Sequence, residues 1–351
     1  MPFLRDAWYG AAWSSELIEA TPIARTLLGE PVALFRTESG SAAALLDRCP
    51  HRFAPLSRGK VRGESIECGY HGLCFSTAGA CIRNPHGNGH IPSLAVVRAF
   101  PVCERHRIVW IWMGEPAEAD PAGIPDFAPF DADGEFVSVF GYLHVHANYQ
   151  LISDNLLDLT HGQYLHPLFS NPAGPPVMED SPLEERRVWA RFNRKSQYPN
   201  KYFQMLGFPA DQLGDHRNHM RWEPPGTMLL DVGMTRVGRA PKEGLSIPTA
   251  HLLTPETETT THYLWGMARD FRKDDQRLSD DLLRTGIDVF NNEDKPMIEA
   301  QQRAMGAETD LFKLRPALLQ TDGPAIRARR MMSALVVEGT AQRARPVAGP
   351  A

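Results

Sequence analysis

The sequence predicts two domains, a small all-β domain followed by a larger α+β domain. Three observations predict it. The chain has 351 residues, too many for one small core and suited to about two domains. Its first hundred or so residues carry short apolar and β-branched runs set off by Gly, Pro and Ser. Beyond a proline-rich acidic stretch, helical periods and strand-like runs alternate. The boundaries read as 1–118 and 119–345, with a loose tail at 346–351.

In chain order, "PVALFRT" (31–37), "AAALLDR" (42–48) and "RIVWIWMG" (107–114) read as strands of the first domain. "GEPAEADPAGIPDF" (114–127) has no period and reads as a boundary. "YQLISDNLLDLTHGQYLHP" (149–167) places Leu151, Ile152, Leu156, Leu157 and Leu159 at helical spacing, and Pro167 must end that helix. Residues 185–270 read mostly as strands, among them "TMLLDVGM" (227–234) and "TTHYLWGMA" (260–268). A long helix is expected over 280–305, with Pro296 disturbing its middle.

Composition narrows the function. A net charge of −5 provides no basic stripe for a phosphate backbone, so nucleic acid is not an expected partner. No apolar run reaches the roughly 18 residues of a membrane span. "MPFLRDAWYG" lacks a charged start followed by an apolar stretch, so no secretory signal is read and the expected location is cytoplasmic, without a membrane partner. Five cysteines, an odd number in a long intracellular chain, argue against a disulfide framework. Of these, Cys74, Cys81 and Cys103 have no histidine at ligand spacing and read as plain thiols.

The other two do. Cys49 and His51 form a C-x-H pair in "CPHR", and Cys68 and His71 form a C-x2-H pair in "CGYHG". A structural zinc site accepts two Cys and two His, and would make the protein a zinc-stapled binding module. Zinc knuckles, however, usually pair like with like. With one Cys and one His in each loop, two facing loops bring both thiolates to one metal and both imidazoles to another. A Rieske [2Fe–2S] centre demands that arrangement. His86 and His90, beside Gly and Asn, read as solvated loop residues, and His106, His144, His146, His216, His219 and His262 show no partner pattern.

Such a cluster only moves one electron at a time, which leaves the second domain unexplained. "DNLLDLTHGQYLHP" supplies Asp158 and His161 three apart, hence on one helical face, and His166 five further on, freed by Pro167. Two imidazoles and a carboxylate make the facial triad of non-haem Fe(II) oxygenases. Asp154, Asp158 and the distant Asp294 are the candidate carboxylates, and periodicity does not choose among them.

The two Cys/His loops resemble those of Rieske proteins, apart from Gly69 where the family usually has Pro; Tyr70 would then point its hydroxyl at a cluster sulfur, and Gly72 would let backbone approach closely. "D-N-L-L-D-x-x-H-x-x-x-x-H" resembles the iron motif of Rieske non-haem iron oxygenases. "FLRDAWYGAAW", "IWMGEPAEADP", "TPETETTTHYLW" and "NNEDKPMIEAQQR" extend the likeness over nearly the whole chain, to the vanillate O-demethylase, dicamba demethylase and toluenesulfonate methyl-monooxygenase group. The resemblance implies an all-β Rieske domain and an α+β, helix-grip-like catalytic domain. It implies His161, His166 and Asp294 as iron ligands, with Asp158 linking His161 to His71 of a neighbouring subunit in a head-to-tail homotrimer. It also puts Asn155 close to the iron, and His251, Leu230 and Met228 at the substrate.

The implied reaction is oxidation of the methyl C–H of a small aromatic methoxy acid by O2, releasing formaldehyde through a hemiacetal. Electrons would come from NAD(P)H indirectly. G-x-G-x-x-G is absent, so a separate reductase carrying flavin and a [2Fe–2S] cluster is expected as a transient partner. Aryl-methyl or ring hydroxylation is the alternative within the family. The alternative outside it is a Rieske electron carrier or redox sensor.

Overall fold

The computed structural model describes residues 3–18, 20–131, 134–179, 181, 184 and 186–343; the expected tail at 346–351 lies outside them. The chain forms two compact units. One is Arg5–Ile124 with Thr254–Thr257, and the other is Pro125–Leu253 with the chain from Glu258 onward.

The first unit is built from short antiparallel strands. Trp8–Trp13, Ile108–Trp112 and Val102–Arg105 form one sheet, and Ile23–Leu27, Glu30–Arg36, Ala42–Leu46 and Ala99–Phe100 a second. A third runs through Lys60–Arg62, Ser65–Glu67, Cys74–Ser76 and Cys81–Arg83. "IVWIW" is buried along its whole length, which is why it reads as a continuous apolar run rather than an alternation. Phe35, Leu45, Leu56, Ile66 and Phe75 pack with Cys49 and Cys68 into one core cluster, so both thiols sit on the apolar side of their loops.

The second unit centres on a seven-stranded antiparallel sheet. Its order is Val137–Val145, Thr260–Arg269, Leu245–Thr257, Thr227–Arg236, Gly214–Glu223, Val188–Gln197 and Val177–Glu179. Thr260–Arg269 is buried at every residue but the first, so both faces of that strand are covered. Helix Gln276–Gly286, capped by the Asp275 carboxylate accepting from Leu278 N at 3.0 Å, packs on Val137–Val145 and Thr260–Arg269. Helix Tyr149–Leu157 packs against helices Lys295–Met305 and Gly323–Arg343.

Two helices differ from their sequence expectation, both at functional positions. The helix expected to run up to Pro167 ends at Leu157, and Asp158 leaves helical geometry at φ −117°, ψ 87°. A 3-10 turn, Leu159–His161, and a single α-turn, Gly162–Leu165, follow. Asp158 and His161 therefore do not share an α-helical face. The cause is local: the Asp158 carboxylate accepts from Thr160 N at 3.0 Å and Thr160 Oγ1 at 2.6 Å, offering the backbone a cap in place of continued helix. The expected 280–305 helix is interrupted by a π-helical segment, Ile287–Asp294, before α-helix resumes at Lys295. Pro296 lacks an N–H and would press on the carbonyl four residues back, and the widened turn removes that conflict.

Candidate metal centres and the cavity between the helices and the sheet

The two Cys/His loops of the first unit have the same backbone closure. Phe53 N donates to Cys49 O at 2.8 Å and Gly72 N to Cys68 O at 3.0 Å. Cys49 N donates to Ala54 O at 2.9 Å and Cys68 N to Leu73 O at 2.8 Å. The fourth residue after each cysteine is left-handed, with φ 59° at Phe53 and φ 70° at Gly72. Glycine takes this conformation at no steric cost, whereas Phe53 holds it because the loop dictates it. At Gly69 a β-carbon would lie 2.6 Å from Arg58 O, so the close approach of that segment accounts for the glycine.

Cys49 and Cys68 are each 2% exposed, while His51 is exposed and His71 half-buried. The two imidazole rings meet edge to face at 4.6 Å. Burial pushes the Cys49 thiol up to about 11, with the Cys68 thiol beside it adding to the shift. Two adjacent buried thiols inside, with two adjacent imidazoles outside, fit a two-iron centre that has a thiolate iron and an imidazole iron. The Tyr70 ring lies on His71 at 3.9 Å, so this aromatic backs the imidazole rather than standing apart from it. His86, which reads from sequence as a solvated loop residue, has Nε2 2.7 Å from His71 O. No spacing rule relates it to the four cluster residues.

In the second unit, His161, His166 and Asp294 bring one donor atom each within 4.8 Å of one another. His166 is extended at φ −113°, ψ 98°, as the residue before a proline prefers, and this swings its ring toward His161. The two Nε2 atoms are 3.1 Å apart, and Asp294 Oδ1 is 3.4 Å from each. His161 Nδ1 lies 2.6 Å from the backbone carbonyl of Asp158, and His166 Nδ1 lies 2.7 Å from Glu293 Oε2. Both partners only accept, so each ring in its neutral form carries its proton on Nδ1 and turns an Nε2 lone pair inward. Three acceptor atoms then converge with no proton between them, which suits a cation. Burial raises the Asp294 carboxyl, but the two imidazoles of His161 and His166 beside it outweigh burial and hold the group below the usual carboxylate range.

Asn155 Nδ2 donates to Asp294 Oδ1 at 3.1 Å, and its buried Oδ1 has no partner among the described residues. Asp158 is placed differently from its expectation. His161 meets its backbone carbonyl, while the carboxylate accepts from Thr160 and, at 2.8 Å, from Thr321 Oγ1. Asp154, a candidate ligand by sequence, is taken by Arg329, whose Nη2 is 2.6 Å away.

Above the triad is a cavity with an empty volume of about 760 Å³ counted to its open mouth, walled mainly by apolar side chains with a few polar groups among them. Leu230 and His251 are in its lining. Met228 does not: it is fully buried, paired across the strands with His251, and outside the cavity wall. His251 is 0% exposed, and burial lowers it to about 3, so it is neutral near pH 7. Its Nδ1 lies 2.6 Å from Tyr263 Oη, the hydroxyl's partner among the described residues, while Nε2 has none. A buried hydroxyl must donate, so Nδ1 accepts and Nε2 carries the proton. Glu293, Tyr263, Arg194 and Asn218 went unread in the sequence and His216 read as a histidine without a partner, since each acts across strands or loops at no characteristic spacing.

A Cys2His2 two-loop centre in a small β unit and an open triad under a cavity define a Rieske-type oxygenase. Residues 7–101 match the Rieske [2Fe-2S] domain, and residues 145–338 match the vanillate O-demethylase oxygenase C-terminal domain. The chain is 40% identical to the oxygenase component of chloroacetanilide N-alkylformylase from Rhizorhabdus wittichii, over 96% of this chain and 97% of that one. It is 39% identical to the oxygenase component of dicamba O-demethylase from Stenotrophomonas maltophilia, over 95% and 98%. The crystal structure of dicamba monooxygenase bound to 3,6-dichlorosalicylic acid superposes with a TM-score of 0.89 at 37% identity, covering 98% of this chain and all of that one.

The chain therefore belongs to the Rieske non-haem iron oxygenases, in the vanillate O-demethylase branch. It is the oxygenase component of a multicomponent system, with a Rieske [2Fe–2S] cluster and a mononuclear non-haem iron as its cofactors. No helix among the described residues is long and apolar enough to cross a membrane.

Proposed function

We propose that this chain is the terminal oxygenase of a two-component O-demethylase acting on a small aromatic methoxy acid. The observation that carries the reading is the cavity opening onto His161, His166 and Asp294, whose inward atoms are all acceptors. In it, Cys49, Cys68, His51 and His71 hold the cluster, and His161, His166 and Asp294 hold the iron. The bound iron supplies activation of O2 for oxidation of a methyl C–H. The chain's own residues do the rest. Asp158 O and Glu293 fix the imidazole tautomers, and Asn155 holds the Asp294 carboxylate. Leu230 presents an apolar wall, and the His251 Nε2–H is aimed to donate to an oxygen of the substrate.

Overall, a methyl ether, O2, NAD(P)H and a proton give a phenol, formaldehyde, water and NAD(P)+, the hemiacetal collapsing on its own. Electrons arrive from a flavin and [2Fe–2S] reductase in the cytoplasm. The assembly is a head-to-tail homotrimer in which the half-buried Asp158 carboxylate receives the likewise half-buried His71 of the next subunit. The test is formaldehyde release under air with purified protein, NADH, a reductase from a related system and a panel of methoxybenzoates including vanillate. Formaldehyde in proportion to NADH consumed is expected. A reduced cluster with no formaldehyde from any methoxy compound defeats the reading in favour of aryl-methyl or ring hydroxylation, and the products would then carry added oxygen. If His161→Ala left the chain's physiological function intact, the protein would be an electron carrier instead.

A further inference from the structure

Arg194, 8% exposed, reaches the cavity wall from strand Val188–Gln197. Its guanidinium donates to Gly174 O at 3.1 and 3.0 Å, to Gln163 Oε1 at 3.1 Å and to His216 Nδ1 at 3.2 Å. All these acceptors are neutral, and no carboxylate pairs with it among the described residues. Burial pulls its pKa down, yet a guanidinium stays charged in proteins. A buried charge without a counter-ion is costly unless a ligand supplies one.

The charge is passed inward. Because arginine only donates, His216 Nδ1 accepts. Burial, the largest cause, and then Arg194 lower His216 to about 3 and keep it neutral, so its proton is on Nε2. Nε2 lies 3.1 Å from Asn218 Oδ1, which fixes the amide so that its NH2 is turned away from His216. Asn218 lines the cavity across the strands from Val232, and its NH2 has no partner among the described residues. Each bond in the Arg194–His216–Asn218 chain polarises the next, so the amide protons are stronger donors than those of a free asparagine.

We propose that Asn218 is a specificity-determining residue that donates its amide protons to the anionic group of the substrate, and that Arg194 is a positioning residue that orients it through His216 and balances that charge. The assignment rests on the reading of the cavity as the substrate site. It is tested by calorimetry on holoenzyme with two probes of the same shape, 4-methoxybenzoate and 4-methoxybenzamide. Wild type should favour the anion by at least about tenfold, as a bond to a charged partner predicts. Asn218→Leu and Arg194→Gln should bring the ratio close to one, with cluster absorption and iron content unchanged. If Arg194→Gln does not fold, Asn218→Leu decides alone. A wild type without anion preference, or an unchanged ratio in Asn218→Leu, overturns the proposal. Anion-selective binding without formaldehyde would defeat demethylation and leave this inference standing. Formaldehyde formed equally from acid and amide would do the reverse.

Discussion

Glu293 and His166 meet through a 2.7 Å contact between a carboxylate oxygen and Nδ1, so the residue next to Asp294 in sequence orients one of its two histidine neighbours in space. The π-helical segment makes this possible by placing consecutive residues 293 and 294 where both reach the same imidazole, one at each nitrogen. Glu293→Ala should therefore weaken iron binding by about 10- to 100-fold while the cluster's absorption stays intact. Iron retained against a graded chelator measures it. Retention equal to wild type would mean that His166 needs no carboxylate to hold its tautomer.

Asp158→Asn keeps a side-chain oxygen to cap Thr160 N but removes the negative charge. If the carboxylate receives the neighbour's His71, transfer from reduced cluster to iron should slow by at least about tenfold, the scale of a lost charge-assisted hydrogen bond. Stopped-flow reoxidation of the cluster with O2 and substrate reports this directly. A wild-type rate at unchanged iron content would leave Asp158 as a cap for the 3-10 turn and nothing more.

His216 and His251 are both held near 3 by burial, well below the usual value of about 6.5. Between about pH 3 and pH 6.5 the unfolded chain binds their protons and the folded chain does not. Their contribution to stability is therefore complete above about pH 6.5 and falls with pH through that window, by up to about 1.4 kcal/mol per pH unit for each histidine. Urea midpoints from neutral to mildly acid pH should give a shallower slope for His216→Phe than for wild type. Equal slopes would mean that His216 titrates normally in the fold.

A β-carbon on Gly286 would lie 2.2 Å from the buried Trp265 ring. Alanine would gain roughly 0.5–1 kcal/mol of helix propensity. Overpacking against a fully buried indole costs about 1–3 kcal/mol, so the clash wins and Gly286→Ala should lower the melting temperature. The indole also packs on Phe290, at 5.3 Å, in the π-helical segment that ends at Asp294. A loss of iron affinity should therefore accompany the loss of stability.

The sequence by itself determined the local chemistry: which residues are Cys, His and Asp, how far apart they lie along the chain, and which runs are apolar enough to become strands. Cys49, His51, Cys68 and His71 are legible because each pair lies within one tight turn, where spacing nearly fixes geometry. His161 and His166 are legible because a proline ends their segment. Only the tertiary structure decided what fills the second coordination layer and the cavity. Glu293 reaches His166 because a π-turn changes the phase of its helix, and spacing carries no mark of that change. Met228 and Leu230 point to the same side of one strand, yet only Leu230 reaches the cavity, because burial along a strand depends on what the neighbouring elements cover. Arg194, His216 and Asn218 come together across two paired strands, whose register is set by the whole sheet.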